Sequence, residues 1–384
     1  MRRTLSLCPI RSLAPSLAAA LLPVLLLAAC SQDGPPPEPP LPEGALDAVV
    51  EDPGVPRDRL ARAVDEAFSA DGIGDTRAVI VMHEGEIVAE RYADGFNAET
   101  PFVSWSMAKT VTGVLIGMLV ADGRLELDAP APVASWQRAG DPRGEITLRH
   151  LLQMRSGLRH SEFADPIYTS GEVRMMYLDG KHDMAGWAEA QSLDHAPGEN
   201  FTYSTATSVI LSDIATDIIA PDASARERQA LMAEFLKARL ADPLGMPSMV
   251  GEYDASGTLV GGSAIWANAR DWARFGEFLR HGGSVKGAQI VPRGWIEFML
   301  TSSPTSTDYR GHLWLNRFSE SDRSALFAER GPDDAFAAIG HLGQYIIVAP
   351  SRRLTLVRLG KTDGPDRDAL VEELADIVSL YPSR

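Results

Sequence analysis

Cysteine is scarce in this sequence. Its 384 residues include only Cys8 and Cys30, and both precede the part of the chain that has the composition of a folded domain. A framework of disulfide bonds is therefore excluded. The hydrophobic fraction is 45% and the charged fraction 23%, which excludes a collagen-like, coiled-coil or wholly disordered chain.

Positive charge is scarce as well. Lys and Arg together number 36 against 52 Asp and Glu, so the formal net charge is −16. No run of basic residues occurs anywhere in the chain. Such a protein lacks the electrostatic surface that attracts phosphate backbones, and we expect no nucleic-acid partner.

Motifs for several common sites are missing. The eight histidines include no His-Glu-x-x-His, so we expect no metal. Gly261-Gly262-Ser263 lacks the second glycine of the Gly-x-Ser-x-Gly nucleophile turn. Gly72-Ile73-Gly74 lacks the third glycine of a dinucleotide fingerprint and follows a predicted helix, not a strand. We therefore expect no cofactor.

Residues 1–29 predict an export signal. Three arginines accompany an apolar run, residues 13–29, that leads into Leu27-Ala28-Ala29-Cys30. A transmembrane or core helix is the alternative, but the run is shorter than a bilayer span and contains Pro23. Leu-Ala-Ala-Cys resembles a bacterial lipobox, which implies cleavage before Cys30 and a lipid anchor on that cysteine. Because Ser31 follows, the resemblance implies an outer-membrane lipoprotein that faces the periplasm.

Residues 30–56 predict a tether. Eight prolines fall within this segment, with acidic residues between them and few apolar groups. This composition favours a stiff, solvated spacer that holds a catalytic body away from a membrane.

The two ends of the remaining chain predict one sheet. Leu60, Val64 and Phe68 lie on one face of a helix that begins at Pro56. Five apolar runs have the length of strands: 78–82, 87–89, 335–339, 345–349 and 354–359. A last helix is predicted near 366–380. We expect an α+β fold in which residues 57–102 and 255–384 form an antiparallel sheet with helices on it, and residues 103–254 form a mostly helical domain.

Ser106-Met107-Ala108-Lys109 opens a predicted helix. Residues three apart share a helix face, so the Ser106 hydroxyl and the Lys109 amine can meet. The start of a helix also offers N–H groups and a positive dipole end to a developing oxyanion. A lysine can take the serine proton only where desolvation or a nearby cation keeps it partly neutral. The alternative is an N-cap serine followed by a solvated lysine, which the apolar helix and Trp105 disfavour.

Two further short motifs follow along the chain. Tyr203 begins Tyr203-Ser204-Thr205, and alone it could be a core aromatic residue. His341 begins His341-Leu342-Gly343 at the head of an apolar strand, and alone it could be a surface histidine. With Ser106 and Lys109 they resemble S-x-x-K, Y-x-N and H-x-G, the ordered motifs of the serine beta-lactamase and penicillin-binding protein superfamily. The chain is most similar to the class C-like serine hydrolases, which include esterases and 6-aminohexanoate-dimer hydrolase.

The resemblance implies a beta-lactamase/transpeptidase-like fold and a role for each residue. Ser106 would attack an ester, amide or short-peptide carbonyl and become acylated, while Lys109 takes its proton. Tyr203 would pass a proton to the leaving group and later activate water, a base role that requires a cationic neighbour such as Lys109. The backbone N–H groups of Ser106 and Gln344 would form the oxyanion hole. His341, two residues before Gly343, would support the tyrosine or bind substrate.

Two positions depart from the family pattern. Thr205 replaces an asparagine that contacts the amide side chain of beta-lactams, and His341 replaces a lysine that holds their carboxylate. Both departures disfavour beta-lactam turnover. A beta-lactamase or D,D-peptidase acting on peptidoglycan remains an alternative, as does a non-catalytic penicillin-recognising envelope protein, which the intact Ser106, Lys109 and Tyr203 disfavour.

Overall fold

The computed structural model describes residues 39–319 and 325–383. The predicted signal and Cys30 lie outside the described residues. Within those two ranges no helix combines the length and the apolar character that crossing a bilayer requires.

Strands from both ends of the chain form one antiparallel sheet. The strands are β1 (Asp75–His83), β2 (Glu86–Tyr92), β3 (Phe102–Val103), β4 (Val250–Gly251), β5 (Ile265–Ala267), β6 (Ser284–Val285), β7 (Ala288–Gln289), β8 (Tyr309–Arg310), β9 (Leu313–Leu315), β10 (Phe336–Gly340), β11 (Gln344–Ala349) and β12 (Leu354–Lys361). Seven of them make the main sheet in the order β2-β1-β12-β11-β10-β9-β8. β1 pairs with β12, so the first and last strands lie side by side, and the predicted sheet built from both ends of the chain is confirmed.

Helices cover both faces of this sheet. They are α1 (Arg57–Ser69), α2 (Met107–Ala121), α3 (Leu148–Leu152), α4 (Gly171–Tyr177), α5 (Met184–Glu189), α6 (Thr205–Ile219), α7 (Ala225–Leu236), α8 (Asp242–Leu244), α9 (Ala269–Arg280), α10 (Arg293–Leu300) and α11 (Arg367–Ser379). The terminal helices α1 and α11 pack together on one face, and α2 and α9 pack on the other. The predicted α+β fold is confirmed.

The burial of β12 explains why apolar residues lie on both of its faces. Leu354 and Leu356 join the hydrophobic cluster beneath α1 and α11, whereas Val357 and Leu359 join the cluster that the sheet shares with α2, α9 and the helical insert. A strand covered on both faces does not alternate apolar with polar residues. Each such side chain contributes about 1.5–3 kcal/mol to folding when fully buried.

The predicted tether does not extend to residue 56. Residues 45–48 form a 3-10 helix, and Val49 pairs with Ala89 of β2. Ala45 and Val49 are buried, and Arg57 donates to the Val49 carbonyl at 2.9 Å. The exposed edge of β2 offers unpaired backbone groups, and this segment satisfies some of them. The prediction of a solvated spacer is therefore wrong for residues 45–50, where proline is absent and apolar residues reach the sheet.

Candidate active site

Ser106 lies at the junction between β3 and α2. Pairing of β3 with β5 holds the segment before it, and Trp105 adopts φ 45°, a left-handed conformation uncommon for a bulky residue. Strain of this kind collects at functional sites. The Ser106 side chain makes no capping hydrogen bond to α2, so its hydroxyl is left to other partners.

Lys109 is buried beside Ser106, with 1% of its surface exposed. Its Nζ lies 2.9 Å from Ser106 Oγ, 2.9 Å from Thr205 Oγ1 and 2.8 Å from the Gly262 carbonyl oxygen. Burial lowers the pKa of Lys109, while the charges of Glu162 and Glu172 oppose that shift. The alternative of a capping serine and a solvated lysine is therefore wrong, because the amine is desolvated and hydrogen-bonded to the hydroxyl.

Two glycines let a backbone carbonyl reach this lysine. Gly261 and Gly262 pass between α2 and α6, and a Cβ on Gly262 would come within 2.7 Å of Thr205 Cγ2. The Gly261 carbonyl accepts a hydrogen bond from Thr112 at 2.8 Å, and the next carbonyl accepts from Lys109. Any larger residue at Gly262 would push the loop off α6, so these glycines serve the lysine site.

Tyr203 lies two residues before the start of α6 and faces Ser106 and Lys109. Its ring centroid lies 5.0 Å from Lys109 Nζ, and the nearby Ser106 side chain acts to lower its pKa. Burial, followed by the charge of Glu162, raises the pKa of Tyr203 well above its usual value. The base role that the resemblance implies required a lowered pKa, so the structure instead favours a neutral phenol that can donate a proton.

Aromatic side chains fix the Tyr203 ring. Tyr309 meets it edge-on with centroids 5.6 Å apart, and Trp314 lies 5.4 Å away. Tyr309 and Trp314 also contact each other at 4.7 Å, and Phe201 packs against Tyr309 at 5.5 Å. This cluster joins β8 and β9 to the start of α6, so the main sheet positions the tyrosine.

Two carboxylates that the motifs do not predict converge on Thr205. Its hydroxyl donates to Glu162 Oε1 at 2.6 Å and lies 3.2 Å from Glu172 Oε1. Burial and the nearby charge of Glu162 raise the pKa of Glu172 to about 7. Glu162 stands in a loop and Glu172 in the short helix α4, where neither forms a recognisable motif. Across the two described ranges, no three His, Cys, Asp or Glu side chains are grouped to hold a metal ion.

The turn between β10 and β11 carries the third motif. Leu342 and Gly343 are both left-handed, with φ 60° and 77°, and Gly343 ends a three-residue hairpin connection, a position where a left-handed residue is common. The end of β10 lies against the Ser104 carbonyl, and the exposed His341 ring packs edge-on against Trp105 with centroids 5.4 Å apart. Partial burial lowers the pKa of His341, so it is mostly neutral at pH 7. His341 thus borders the turn that precedes Ser106 and contacts Trp105.

Gln344 uses its side chain to brace this turn. Its Nε2 donates to the carbonyls of His341 at 3.0 Å, Leu342 at 3.1 Å and Gly360 at 2.7 Å. Its Oε1 accepts from the Gly360 N–H at 3.0 Å. The side chain is therefore engaged within the turn, and the oxyanion role of the Gln344 backbone N–H stays a prediction.

A buried arginine lies beneath the same turn. Arg358 of β12 is fully buried and donates to the Gly343 carbonyl at 2.9 Å and to Thr362 Oγ1 at 2.8 Å. A Cβ on Gly343 would come within 2.7 Å of the guanidinium. Burial lowers the pKa of Arg358 to about 10, which still leaves it charged at pH 7. The motif glycine is thus required both by its φ and by the arginine behind it.

A cavity of about 510 Å³ opens beside Trp105. Aromatic and methionine side chains line much of it, with Trp105 and Trp266 on one side and Met176 and Tyr177 of α4 on another. Met176 lies one helical turn beyond Glu172 and therefore on the same face of α4. Two elements of the site, the Trp105–Ser106 turn and α4, thus border this cavity.

Several known proteins are similar to this chain in sequence or in fold. A 6-aminohexanoate-dimer hydrolase of Paenarthrobacter ureafaciens is 25% identical over 310 residues, which cover 76% of this chain and 74% of the relative. A Bacillus anthracis structure described as a 6-aminohexanoate-dimer hydrolase has a TM-score of 0.63 at 22% identity and covers 80% of this chain and 81% of its own.

A family VIII carboxylesterase structure gives a TM-score of 0.57 at 18% identity and covers 82% of this chain and 96% of its own. At such identities these structures show a shared fold. The family model described as Beta-lactamase matches residues 64–379, which is most of the chain. The chain therefore belongs to the beta-lactamase family.

Proposed function

We propose that the protein is a serine hydrolase that cleaves small esters or amides through an acyl-Ser106 intermediate. The observation that carries this proposal is the desolvated Lys109 amine, 2.9 Å from Ser106 Oγ. Burial favours the neutral amine, which is the form that can accept the serine proton. The curated relative, a 6-aminohexanoate-dimer hydrolase, supports hydrolysis as the reaction class.

Acylation follows from the positions of three side chains. Ser106 Oγ forms a bond to the substrate carbonyl carbon as its proton passes to Lys109 Nζ. The Tyr203 phenol then protonates the leaving alcohol or amine as that group's bond to carbon breaks, and the Lys109 ammonium replaces the phenol proton. In deacylation, the water oxygen bonds to the acyl carbon as a water proton passes to Lys109 Nζ, and the Lys109 ammonium returns a proton to Ser106 Oγ as the acyl–oxygen bond breaks. The backbone N–H groups of Ser106 and Gln344 are the proposed oxyanion donors.

Esters and amides are favoured over beta-lactams by two contacts. The Thr205 hydroxyl is engaged by Lys109 and Glu162, so it does not take the place of an asparagine that reaches substrate. His341 is mostly neutral and packs on Trp105, so it lacks the fixed charge of the lysine it replaces. The cavity beside Trp105 has room for an apolar substrate group.

Labelling with a fluorophosphonate probe tests the nucleophile. Native protein is expected to be labelled and Ser106→Ala is not; equal labelling of the two would disprove the assignment.

Short p-nitrophenyl esters are expected to be hydrolysed much faster than nitrocefin. The opposite ranking would move the protein to the beta-lactamases, and activity on D-Ala-D-Ala peptides would make it a peptidoglycan peptidase.

The proposed cellular location is the periplasmic face of the outer membrane, through a lipid on Cys30. The Leu-Ala-Ala-Cys sequence and the export signal before it support this proposal. Cys30→Ser is expected to release the protein from membranes in fractionation. An unchanged distribution between membrane and soluble fractions would contradict a lipid anchor.

A further inference from the structure

Glu162 holds Thr205 at two points. One carboxylate oxygen accepts from the Thr205 N–H at 2.7 Å and the other from its hydroxyl at 2.6 Å. That N–H is among the free donors at the start of α6, a position where the helix dipole stabilises a negative charge. The Glu162 side chain is only 11% exposed and lies 3.9 Å from Lys109 Nζ.

The hydrogen atoms around Lys109 allow one arrangement of its neutral form. Because the Thr205 hydroxyl donates to a carboxylate, it can only accept from the lysine. The Gly262 carbonyl has no proton and can also only accept. A neutral amine has two N–H groups, and these two acceptors take both. The remaining lone pair then faces Ser106 Oγ at 2.9 Å, the geometry of a base.

We infer that Glu162 is a positioning residue for the acylation step, which acts through Thr205 to direct the lone pair of Lys109 toward Ser106. This inference rests on the proposed function, because it assigns a role within the same site. Glu162 does not touch the reacting atoms and exchanges no proton. During acylation the Ser106 O–H bond breaks, the proton forms a third N–H bond on Lys109, and the Glu162 charge stabilises the resulting ammonium.

Other ionisable groups also face the lysine and enter the expected pH dependence. They are Glu172 on α4, Tyr203 before α6, and His312 between β8 and β9, whose Nδ1 lies 2.8 Å from the Lys109 carbonyl oxygen. Glu162 differs from these three groups in its double contact with Thr205. Glu172 makes a single, longer contact of 3.2 Å.

Glu162→Gln tests the inference, because glutamine has one acceptor oxygen in place of two and carries no charge. We expect kcat/KM for p-nitrophenyl acetate to fall about 10- to 100-fold. Loss of a negative charge near Lys109 lowers the lysine pKa, so the neutral base persists to lower pH. The acidic limb of the kcat/KM profile should therefore move down by about one pH unit.

Four further variants complete the comparison. Glu172→Gln replaces the other carboxyl group of the same cluster without breaking the double contact, and should lower kcat/KM less than Glu162→Gln does. Glu189→Gln changes another half-buried glutamate, whose charged neighbours are Asp213, Asp217 and Asp183, and should leave kcat/KM and its pH profile unchanged. Thr205→Ser keeps the hydroxyl and should retain most of the activity that Thr205→Val loses.

The inference fails if Glu162→Gln keeps the wild-type rate. It also fails if the rate falls while the acidic limb of the pH profile stays in place, because a structural defect alone would lower the rate in that way. Should Glu162→Gln not fold, as judged by thermal unfolding, the Thr205 variants decide the matter, and equal rates for Thr205→Val and Thr205→Ser would overturn the inference. An active, fluorophosphonate-labelled wild type with an unaffected Glu162→Gln refutes the inference alone. A wild type that is neither active nor labelled refutes the proposed function as well.

Discussion

Two buried basic side chains, Lys109 in the candidate site and Arg358 beneath its third motif, have different surroundings. Lys109 lies between α2 and α6 with two carboxylates nearby, whereas the guanidinium of Arg358 meets neutral oxygens such as those of Thr76, Gly343 and Thr362. Burial lowers the pKa of both. A lysine can shed its proton on desolvation, but an arginine keeps its own at neutral pH.

This difference in pKa behaviour suits one side chain to proton transfer and the other to holding the fold. A cation that can become neutral serves as a base, and carboxylates nearby adjust how readily it does so. A permanent cation with five donors can satisfy several carbonyls at once and hold a left-handed turn in place. Lys109 is therefore the side chain suited to the reaction, and Arg358 the one suited to supporting the His341-Leu342-Gly343 turn.

Replacement of Lys109 should have the largest effect. Lys109→Met removes the proposed base but keeps much of the side-chain volume, so kcat/KM for a p-nitrophenyl ester should fall by about 10²- to 10⁴-fold. Its thermal midpoint should change less than that of an Arg358 variant. Wild-type activity in Lys109→Met, measured on folded protein, would remove the basis for the comparison.

Replacement of Arg358 should act mainly on stability. Arg358→Met leaves the Gly343 carbonyl and two threonine hydroxyls without their donor, and we expect a loss of about 3–5 kcal/mol in the free energy of unfolding. Arg77→Met is the matched control, because Arg77 makes a surface ion pair with Asp75 and should cost less than about 1 kcal/mol. Urea unfolding of the three proteins compares them, and equal midpoints would argue against a structural role for Arg358.

Two buried histidines extend the comparison to smaller effects. Burial lowers the pKa values of His160 and His312 to about 4 from 6.5. Because each pKa is lower in the folded state, the stability of the folded protein that depends on the neutral histidine is fully present above about pH 6.5. This stability is lost as pH falls toward 4, by up to about 3 kcal/mol per histidine. His160→Gln should flatten the dependence of unfolding free energy on pH over this range. An unchanged slope would mean that His160 is protonated without penalty.

Features of the site that depend on near neighbours in sequence were predicted correctly. Ser106 and Lys109 share a helix face because they are three residues apart, and local periodicity alone places both. The strands at β10, β11 and β12 follow from apolar runs bounded by turn residues. The predicted end of the tether at residue 56 is wrong, because the proline content of the segment dominates its composition although a few apolar residues, such as Val49, reach the edge of β2.

Partners distant in sequence could not be predicted. Glu162 reaches Thr205 across 43 residues, and the Gly262 carbonyl reaches Lys109 across 153. A lone glutamate in a loop and a glycine in a connection carry no motif. The direction of the Tyr203 pKa shift also depends on burial, which the fold alone sets.

The sequence by itself determined the family, the α+β fold and the order of its motifs, because periodicity and short spacing are properties of neighbouring residues. Tertiary structure alone decided which protonation states those motifs adopt. Desolvation lowers the pKa of Lys109 and raises that of Tyr203, and long-range contacts modify both shifts, so they depend on residues that only folding brings together.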